Sequence, residues 1–342
     1  MSVVGVLNAG GWGTALAAAL GRQGHQVRLW ARRAEQARAL GESRQNSTYL
    51  PGVLLPETVV TTADLECAVA GCDVALLVPI SAGARALARR LAPILPPAAL
   101  VVHGTKGLEV DTLLRMSEVI EQELGAGYRG RVAALSGPTH AEEVGRGIPT
   151  AAVVSCADES VAAMLQERLN SPALRVYTNR DIVGVELCAS LKNVVALAAG
   201  MSDGLGGGDN AKAALMTRSL AEIGRLARAA GGQAGTVAGL AGVGDLIVTC
   251  TSQYSRNRRA GEQLGRGRTL NEVVGQSRQV IEGIPATRAG VALAARLGVE
   301  MPIAEQVHAI LFESRSPLQA LAELMAREPT AEESGRGFRA QD

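Results

Sequence analysis

The chain has 342 residues, which is enough for two domains with full hydrophobic cores and more than one ordinary domain needs. Its 34 basic and 33 acidic residues leave a net charge of +1, whereas a dedicated nucleic-acid-binding protein normally carries a basic excess. No unbroken apolar run reaches the ~18 residues of a membrane span, so we expect neither a nucleic-acid partner nor membrane insertion.

Short apolar runs alternate with helical patterns through the first half of the chain. Strands are predicted at residues 3–7, 26–30, 73–78, 100–102, 132–135 and 151–154. Helices are predicted between or after them, at residues 14–22, 83–91, 116–124 and 161–169. Strands that alternate with helices favour an α/β domain with a parallel, doubly wound sheet of the Rossmann-like type.

The second half keeps a helical period and shows no convincing alternating strand. Helices are predicted at residues 182–200, 211–229, 285–297, 302–312 and 317–327, with glycine-rich loops at 204–208 and 231–244. We therefore predict an α/β domain over residues 1–181 and an all-α substrate and catalytic domain over 182–330. Residues 331–342 lack an apolar pattern and are predicted to form a flexible tail.

Cysteine and histidine usage bears on compartment and metals. Five cysteines are scattered without a Cys-x-x-Cys pair, and the four histidines are isolated from one another. This pattern favours a reducing compartment, and hence a cytoplasmic location, and it predicts no metal site. The apolar N-terminus has no basic region before it, so we interpret it as the first strand and not as a signal peptide.

A glycine-rich turn directly follows the first predicted strand. Gly10, Gly11, Trp12 and Gly13 occupy the position of the dinucleotide-binding fingerprint, between a strand and a helix. Glycines there permit a tight turn and the close approach of a pyrophosphate to free N–H groups at the helix N-terminus. Asn8 replaces the usual first glycine, and asparagine tolerates a left-handed backbone better than most residues do. The alternative is a purely structural turn.

The end of the second strand bears on the choice of cofactor. An NAD-preferring site tends to place a carboxylate there, on the ribose hydroxyls. This sequence has Arg32 and Arg33 instead, and the first acid after them is Glu35. Two guanidinium groups suit a 2′-phosphate, so we expect NADPH to be preferred and NAD also to be accepted. The alternative is that both arginines begin a solvated helix.

Lysine is scarce, since Lys106, Lys192 and Lys212 stand against 31 arginines. A lysine can release a proton, whereas a guanidinium stays charged, so each lysine is a candidate for proton transfer. Lys106 follows a predicted strand, where ligands bind in such sheets, and Lys192 interrupts an otherwise apolar helix. The alternative for Lys192 is an amine that reaches solvent from the edge of a packed helix.

A polar segment after Asp245 is a candidate anion receptor. Residues 251–259 combine hydroxyls, an amide and three guanidinium groups, and they include Ser255, Arg256 and Asn257. Such groups bind an oxyanion well. The alternative is an exposed basic helix start that Ser255 caps.

Two further segments have the composition of ligand-binding turns. Residues 136–143 form a strand-to-helix turn of small residues, which lets a ligand approach free N–H groups; His140 within it is expected to be structural. Residues 46–52 form a polar loop that either covers the cofactor or is a plain surface loop.

Seven strings carry a wider likeness: NAGGWGTALA, YLPG, TKGLE, SGPTHAEEV, ELCASLKNVVALAAG, GVGDLIVTCTSQYSRNRRAG and VIEGIPATRAG, which run in order from residue 8 to residue 290. Together they resemble the bacterial NAD(P)-dependent glycerol-3-phosphate dehydrogenase family. The resemblance implies interconversion of dihydroxyacetone phosphate and sn-glycerol 3-phosphate, which feeds glycerophospholipid synthesis. It also suggests a homodimer.

The resemblance assigns roles to individual positions, beginning with Lys192 as the catalytic lysine, with Lys106 and Asp245 beside it. Cofactor contacts are expected at the turn and at the matching family positions, namely Gly10, Gly11, Trp12, Gly13, Arg32, Arg33, Lys106, Ala141, Arg256, Val280 and Glu282. Substrate contacts are expected at Lys106, Gly137, Thr139, Lys192, Asp245, Ser255, Arg256 and Asn257. The resemblance assigns no role to Lys212, for which a structural ion pair is favoured.

Two other functions compete with this one. A different two-domain NADP-dependent enzyme, such as a β-hydroxyacid or 6-phosphogluconate dehydrogenase, also pairs a dinucleotide domain with a helical one and uses a lysine. A non-catalytic NADPH-sensing protein would keep the fold but would need neither a buried lysine nor an anion receptor. The polar segment 251–259 favours a small phosphorylated ketone over both alternatives.

Overall fold

The computed structural model describes residues 1–277, 279–329 and 331–332. In that part of the chain the strands form one eight-stranded sheet and one two-stranded pair. In chain order the strands are β1 Val3–Leu7, β2 Gln26–Trp30, β3 Gln45–Asn46, β4 Leu50–Leu54, β5 Val59–Thr62, β6 Val74–Leu77, β7 Leu100–His103, β8 Val132–Ser136, β9 Thr150–Ser155 and β10 Leu174–Asn179.

Helices cover both faces of the large sheet and make up the second half. In the first half they are α1 Gly11–Arg22, α2 Ala34–Ser43, α3 Leu65–Val69, α4 Ala84–Leu91, α5 Met116–Leu124, α6 Ala141–Arg146 and α7 Glu159–Leu169. In the second half they are α8 Ile182–Gly204, α9 Asp209–Ala229, α10 Ala234–Val237, α11 Asp245–Thr251, α12 Arg256–Gly265, α13 Leu270–Gln276, α14 Gly283–Leu297, α15 Pro302–Phe312 and α16 Pro317–Met325.

The large sheet has the strand order β10-β9-β8-β7-β6-β1-β2-β5. The chain leaves β1 towards β2 on one side and later continues to β6 on the other, so the carboxyl ends of β1 and β6 flank a crevice. The predicted α/β doubly wound fold with a helical second half is confirmed. One detail differs, because β9 pairs antiparallel with β8. The connection between them carries only the short helix α6 and does not cross back over the sheet.

The predicted elements agree with observed ones, but several observed elements were not predicted, and two segments expected to be loops contain secondary structure. The elements that were not predicted are the strands β3, β4, β5 and β10 and the helices α2, α3, α6, α10, α11, α12 and α13, most of which are too short to show a clear period. The prediction of a loop over residues 231–244 was wrong in part. That segment contains α10 and a π-helical turn, Leu240–Gly244, that leads into α11. Its glycines allow tight packing, because a Cβ on Gly242 would lie 1.9 Å from the Val237 carbonyl oxygen.

Helix α8 is the central element of the second half, and α12 packs against it at backbone contact. A Cβ on Gly261 would lie 2.0 Å from the carbonyl oxygen of Leu197, and one on Gly200 would lie 1.9 Å from that of Arg258. Only glycine fits at both positions. This contact brings the start of α12, with Asn257, against Asn193 of α8.

Substitution of Gly261 tests this packing. We expect Gly261→Ala to destabilise the protein by about 1–3 kcal/mol or more, because the added methyl group meets the rigid backbone of α8. Gly275→Ala is the matched control, since a Cβ there meets nothing within 4 Å on helix α13. The measurement is the midpoint of urea unfolding. Equal midpoints for the two variants would contradict the contact.

The boundary predicted at residues 181 and 182 falls between the last strand and the longest helix. The carboxylate of Asp181 accepts hydrogen bonds from the N–H of Gly184 at 2.9 Å and from Thr236 Oγ1 at 2.7 Å, and so caps α8. The division into domains at this point stays a prediction. The tail predicted over residues 331–342 lies, from residue 333 on, outside the described residues.

Two helical stretches of the described chain are long and apolar enough, by length and composition alone, to cross a membrane. They are Ile182–Gly204, with 89% of its apolar window buried inside the protein, and Ala234–Thr251, with 39% buried. The first is the core helix α8. Burial of this kind is what the centre of a helical domain requires, so the stretch is weak evidence for a membrane span.

Candidate active site

A cavity of about 1100 Å³ lies between the carboxyl ends of the central strands and the helical half. Its lining contains all but one of the residues predicted for the site, namely Gly10, Gly11, Trp12, Gly13, Arg32, Arg33, Lys106, Thr139, Ala141, Lys192, Asp245, Ser255, Arg256, Asn257, Val280 and Glu282. Gly137 lies just behind the lining, with its carbonyl oxygen 3.4 Å from Lys106 Nζ. The fold thus collects residues that are far apart in the sequence around one cavity.

The glycine-rich turn forms one wall of the cavity. Helix α1 begins at Gly11, and a Cβ on Gly13 would lie 2.0 Å from the Asn8 carbonyl oxygen, so this position needs glycine. Asn8 has φ +110°, and its Nδ2 donates to the Val78 carbonyl oxygen at 3.0 Å. Asn8 therefore adopts the positive φ that the turn needs, and its side chain also links the end of β1 to the end of β6.

The indole of Trp12 reaches into the same wall. Its Nε1 is buried and has no hydrogen-bond partner among the described residues. A Cβ on Gly104 would lie 2.7 Å from that nitrogen, so the two segments are in close contact. An unpaired buried donor beside a free helix N-terminus is suited to a bound polar group.

Residues 46–52 form the β3–β4 hairpin, whereas the sequence suggested a loop. Asn46 is buried, and its Nδ2 donates to the Ala9 carbonyl oxygen at 3.1 Å and to Thr14 Oγ1 at 2.7 Å. Tyr49 lines the cavity beside Gly11. The hairpin therefore supports the glycine turn from behind. That it covers a cofactor stays a prediction.

At the far end of the cavity, Arg32 and Arg33 follow β2 and are exposed. Arg33 directly precedes α2, as the interpretation of a helix start required, and both side chains also line the cavity. A third cation, missed in the sequence, also lines the cavity: the Arg90 guanidinium, which lies 5.3 Å from the centre of the Trp30 ring at the end of β2. Arg90 ends an amphipathic helix, and nothing local distinguishes it from a surface arginine.

Two amines meet on one carboxylate in the middle of the cavity. Lys192 Nζ donates to Asp245 Oδ1 at 2.6 Å, and Lys106 Nζ donates to Asp245 Oδ2 at 2.7 Å. Lys192 and Asp245 are 6% and 1% exposed, which rules out the interpretation of Lys192 as an amine that reaches solvent. Lys192 lies in the middle of α8, Asp245 is the first residue of α11, and Lys106 lies in the segment that follows β7.

Burial and charge compete at these groups. Burial lowers the pKa of Lys192 to about 8; Asp245 opposes the change and the positive charge of Lys106 adds to it. Burial alone would raise the pKa of Asp245, but the two lysines outweigh it and hold the pKa below its usual value. An amine that titrates near neutral pH beside a fixed carboxylate can take up or release a proton during a reaction.

Thr249 belongs to this group and was missed in the sequence. Its Oγ1 lies 2.6 Å from Lys192 Nζ and 3.2 Å from Asp245 Oδ1. Thr249 and Asp245 are one turn apart on α11. A prediction of that helix would have placed Thr249 beside Asp245 through their i, i+4 spacing. His140 makes no such contact. Its Nε2 lies 3.3 Å from the Val248 carbonyl oxygen, and burial lowers its pKa, which agrees with a structural role.

The polar segment after α11 is buried only at Ser255 and Asn257. Ser255 caps α12 by accepting from the Arg258 N–H at 3.2 Å, so the capping role is real, yet Ser255 and Asn257 are 3% and 8% exposed. Asn257 Nδ2 donates to Asn193 Oδ1 at 2.9 Å. The segment is therefore a capped helix start whose Ser255 and Asn257 are buried, while Arg256 and Arg259 stay exposed.

The three guanidinium groups of the segment separate in space. Arg256 lines the cavity and donates to the Val280 carbonyl oxygen at 3.0 Å, and Arg259 also lines it. Arg258 turns away to Asp203, at 2.6 Å. Lys212 pairs with the same carboxylate at 2.7 Å, which is the structural ion pair favoured from the sequence.

Glu282 bridges the two halves of the chain at the cavity. Its carboxylate accepts from the N–H of Ser81 at 3.0 Å and from Ser81 Oγ at 2.7 Å. Ser81 begins a 3₁₀ turn shortly after β6. The two residues are 201 positions apart, so no local pattern could have paired them.

Two family profiles match nearly the whole chain. Residues 3–162 match the N-terminal part of NAD-dependent glycerol-3-phosphate dehydrogenase, and residues 181–322 match its C-terminal part. The chain belongs to the NAD-dependent glycerol-3-phosphate dehydrogenase family. The predicted family and the predicted NAD(P)-dependent dehydrogenase activity are thereby confirmed.

Named relatives of this family agree over their full lengths. The chain is 52% identical to glycerol-3-phosphate dehydrogenase [NAD(P)+] of Moorella thermoacetica, covering 97% of this chain and 98% of that one. The crystal structure of glycerol-3-phosphate dehydrogenase from Coxiella burnetii has a TM-score of 0.90 at 41% identity and covers 95% of this chain and 99% of that one. A ketopantoate reductase from Ralstonia eutropha, with a TM-score of 0.60 at 20% identity and coverage of 94% and 100%, shares the fold alone.

Membership in the glycerol-3-phosphate dehydrogenase family shows that the chain uses a nicotinamide cofactor and acts on a small phosphorylated substrate. It disfavours both competing functions, the hydroxyacid-type dehydrogenase and the NADPH sensor. The individual site residues and the choice between NADP and NAD are not fixed by membership.

Proposed function

We propose that this chain interconverts dihydroxyacetone phosphate and sn-glycerol 3-phosphate, with Lys192 as the catalytic acid and base. The observation that carries the proposal is the buried amine of Lys192, held 2.6 Å from Asp245 inside the cavity that the glycine turn lines. The free N-terminus of α1 and the unpaired Nε1 of Trp12 support a dinucleotide on the opposite wall.

When bound, the nicotinamide supplies or accepts the hydride at C2 of the substrate. In the direction of reduction, negative charge develops on the C2 oxygen. Protonated Lys192 donates a hydrogen bond to that oxygen and then the proton, which is favourable because an alkoxide is far more basic than an amine. In the direction of oxidation, neutral Lys192 accepts the hydroxyl proton.

Lys106 and Asp245 complete the catalytic group. Asp245 orients the Lys192 amine and favours its charged form, whereas Lys106 adds positive potential beside the developing oxyanion. Such fixed donors contribute about 3–4 kcal/mol each in other oxyanion sites. Since both amines bind the same carboxylate, neither needs to reorganise during the reaction.

The substrate phosphate is proposed to bind Ser255, Arg256 and Asn257. This remote group supplies binding energy that aligns C2 with the amine, so a substrate without it should lose kcat as well as affinity. Gly137 and Thr139 lie on the other side of Lys106, where Thr139 Oγ1 donates to the Gly137 carbonyl oxygen at 3.1 Å. We propose that they contact the substrate there, with Ala141, at the start of α6, against the cofactor.

The preference for NADPH over NAD is proposed from Arg32 and Arg33, with Arg90 as a third cation in the lining of the same cavity. Neither of the first two guanidinium groups has an ion-pair or hydrogen-bond partner in the described part of the chain, and both line the cavity, so both are available to a 2′-phosphate. Val280 and Glu282 are proposed as cofactor contacts at the other end. A cytoplasmic location remains a prediction from the cysteine pattern. A homodimer and a role in glycerophospholipid synthesis remain predictions from the family resemblance.

The proposed function is tested by following NADPH absorbance with dihydroxyacetone phosphate as substrate. The wild-type chain should consume NADPH, and Lys192→Ala should lose about 10²–10⁴-fold in kcat, because the reaction then lacks its acid. The control is NADPH affinity by fluorescence titration, which the variant should retain since the glycine turn is unchanged. A near-normal kcat in Lys192→Ala would exclude the acid role.

The pH dependence follows from the lowered pKa of Lys192. Reduction needs the protonated amine, so kcat for dihydroxyacetone phosphate should fall as the pH rises through about 8. Oxidation of glycerol 3-phosphate needs the neutral amine, so its kcat should rise through the same pH. Initial rates in both directions between pH 6 and 10 provide the measurement. Two profiles that move in the same direction would contradict the assignment.

Cofactor preference is tested with Arg32→Ala combined with Arg33→Ala. We expect the KM for NADPH to rise about tenfold or more, with a much smaller change for NADH, because only NADPH carries the 2′-phosphate. Arg38→Ala is the matched control, since Arg38 lies on α2, pairs with Glu42 at 3.9 Å and is not part of the cavity lining. Equal losses for both cofactors would remove the argument for the 2′-phosphate.

A further inference from the structure

A second buried ionic cluster lies outside the cavity and joins the two halves of the chain. The carboxylate of Glu186, on α8, is 3% exposed. Its Oε2 accepts from Arg115 Nη1 and from Ser117 Oγ, both at 2.6 Å, and its Oε1 accepts from the N–H of Ser117 at 2.8 Å. His103 Nε2 lies 3.1 Å from Oε1, although the ring is not aligned for a hydrogen bond. All four of these contacts come from the first half.

The partners of Glu186 lie on both sides of one short segment of the chain. His103 is the last residue of β7, whereas Arg115 and Ser117 lie at the start of α5. The segment between them, residues 104–114, carries Lys106. One carboxylate therefore holds both ends of the segment that brings Lys106 to the cavity.

Other contacts fix the shape of the same segment. Leu108 forms an isolated antiparallel bridge with Arg115. Arg85, on α4, binds the Glu109 carboxylate through its Nε at 2.8 Å and its Nη2 at 2.7 Å. The segment thus has a fixed shape, and the Glu186 contacts determine where that shape sits relative to α8.

Helix α8 also carries Lys192, six residues after Glu186. Six residues of α-helix span about 9 Å, and this core helix is rigid over that distance. The position of Lys192 and the anchor of the Lys106 segment are therefore set by a single helix. The two amines meet on Asp245 only if both are placed correctly.

Glu186 keeps its charge in this environment. Burial would raise the pKa of its carboxyl, but the contacts from His103, Arg115 and Ser117 outweigh burial and lower the pKa to about 2. The carboxylate is therefore ionised near neutral pH. It acts as a fixed acceptor and takes up no proton during the reaction.

We infer that Glu186 is a positioning residue, which holds the segment 104–114 so that Lys106 shares Asp245 with Lys192. The inference rests on the proposed function, since it needs Lys192 to be the catalytic amine. The competing interpretation is that the Glu186 cluster only stabilises the contact between the two halves of the chain and has no influence on the two amines. The two interpretations differ in what happens to the proton of Lys192.

Four titratable groups act on the Lys192 amine from the elements packed around it. Asp245 and Cys250 face it from α11, Lys106 from the segment, and His140 from the start of α6. The positive charge of Lys106 lowers the pKa of Lys192, and Asp245 raises it. If the segment loosens, Lys106 withdraws and Asp245 is left to Lys192 alone. Both changes raise the pKa of Lys192.

The experiment compares Glu186→Gln with wild type for dihydroxyacetone phosphate reduction between pH 6 and 10. Glutamine keeps the shape but loses the charge that holds Arg115. We expect kcat to fall about tenfold to a hundredfold. The pH at which kcat falls on the alkaline side of the profile, the alkaline limb, should be about one unit higher than in wild type. NADPH affinity should stay within about twofold of wild type, because the glycine turn is untouched.

Glu222→Gln is the matched control. Glu222 is also a buried glutamate, 5% exposed, and accepts from the N–H groups of Ile303 at 2.9 Å and Ala304 at 3.4 Å, away from the cavity. It should lower the thermal midpoint and leave the alkaline limb in place. If Glu186→Gln does not fold, Ser117→Ala, which removes one of the hydrogen bonds to Oε2, is measured in its place and should move the limb in the same direction.

Two results would overturn the inference, and they are distinguishable. One result is that Lys192→Ala abolishes turnover, while in Glu186→Gln, or Ser117→Ala in its place, kcat falls at the same alkaline pH as in wild type. The Glu186 cluster then only stabilises the contact between the two halves. If the wild-type profile has no limb near pH 8 and Lys192→Ala keeps its turnover, the proposed function fails, and the inference fails with it.

Discussion

The carboxylate of Asp245, shared by two amines in a buried cavity, is the interaction on which the account of this chain depends. It holds Lys192 at 2.6 Å and Lys106 at 2.7 Å, with all three groups on different elements. A buried lysine without a carboxylate would lose its proton, and a buried carboxylate without the lysines would gain one. The group therefore keeps an amine that is charged and yet close to its titration point, which suits reversible transfer of a proton.

The fold provides this arrangement through close backbone packing. Glycines allow α12 to lie against α8, which brings Asn257 to Asn193 and the proposed phosphate contacts towards Lys192. The doubly wound sheet places the end of β7, and hence Lys106, on the opposite side of the same cavity. Glu282, through Ser81, closes the contact between the two halves. The proposed substrate and cofactor sites thus share one rigid frame.

The sequence predicts much of this for physical reasons. Long helices and buried strands have clear periods, and the scarcity of lysine drew attention to the two amines that meet on Asp245. The remaining features depend on tertiary contacts. Thr249 lies on a short helix that follows a glycine-rich stretch, so its pairing with Asp245 was not visible. A run of arginines does not show that Arg258 turns away to Asp203, and nothing local connects Glu186 with Ser117.

A crystal structure with NADP and glycerol 3-phosphate bound tests the central claim most directly. The measured quantity is the distance from Lys192 Nζ to the oxygen on C2 of the substrate. The account predicts about 2.6–3.2 Å, the reach of a hydrogen bond, with Asp245 still in contact with the amine. A C2 oxygen beyond hydrogen-bond reach of Lys192, or held by another titratable side chain in its place, would contradict the account.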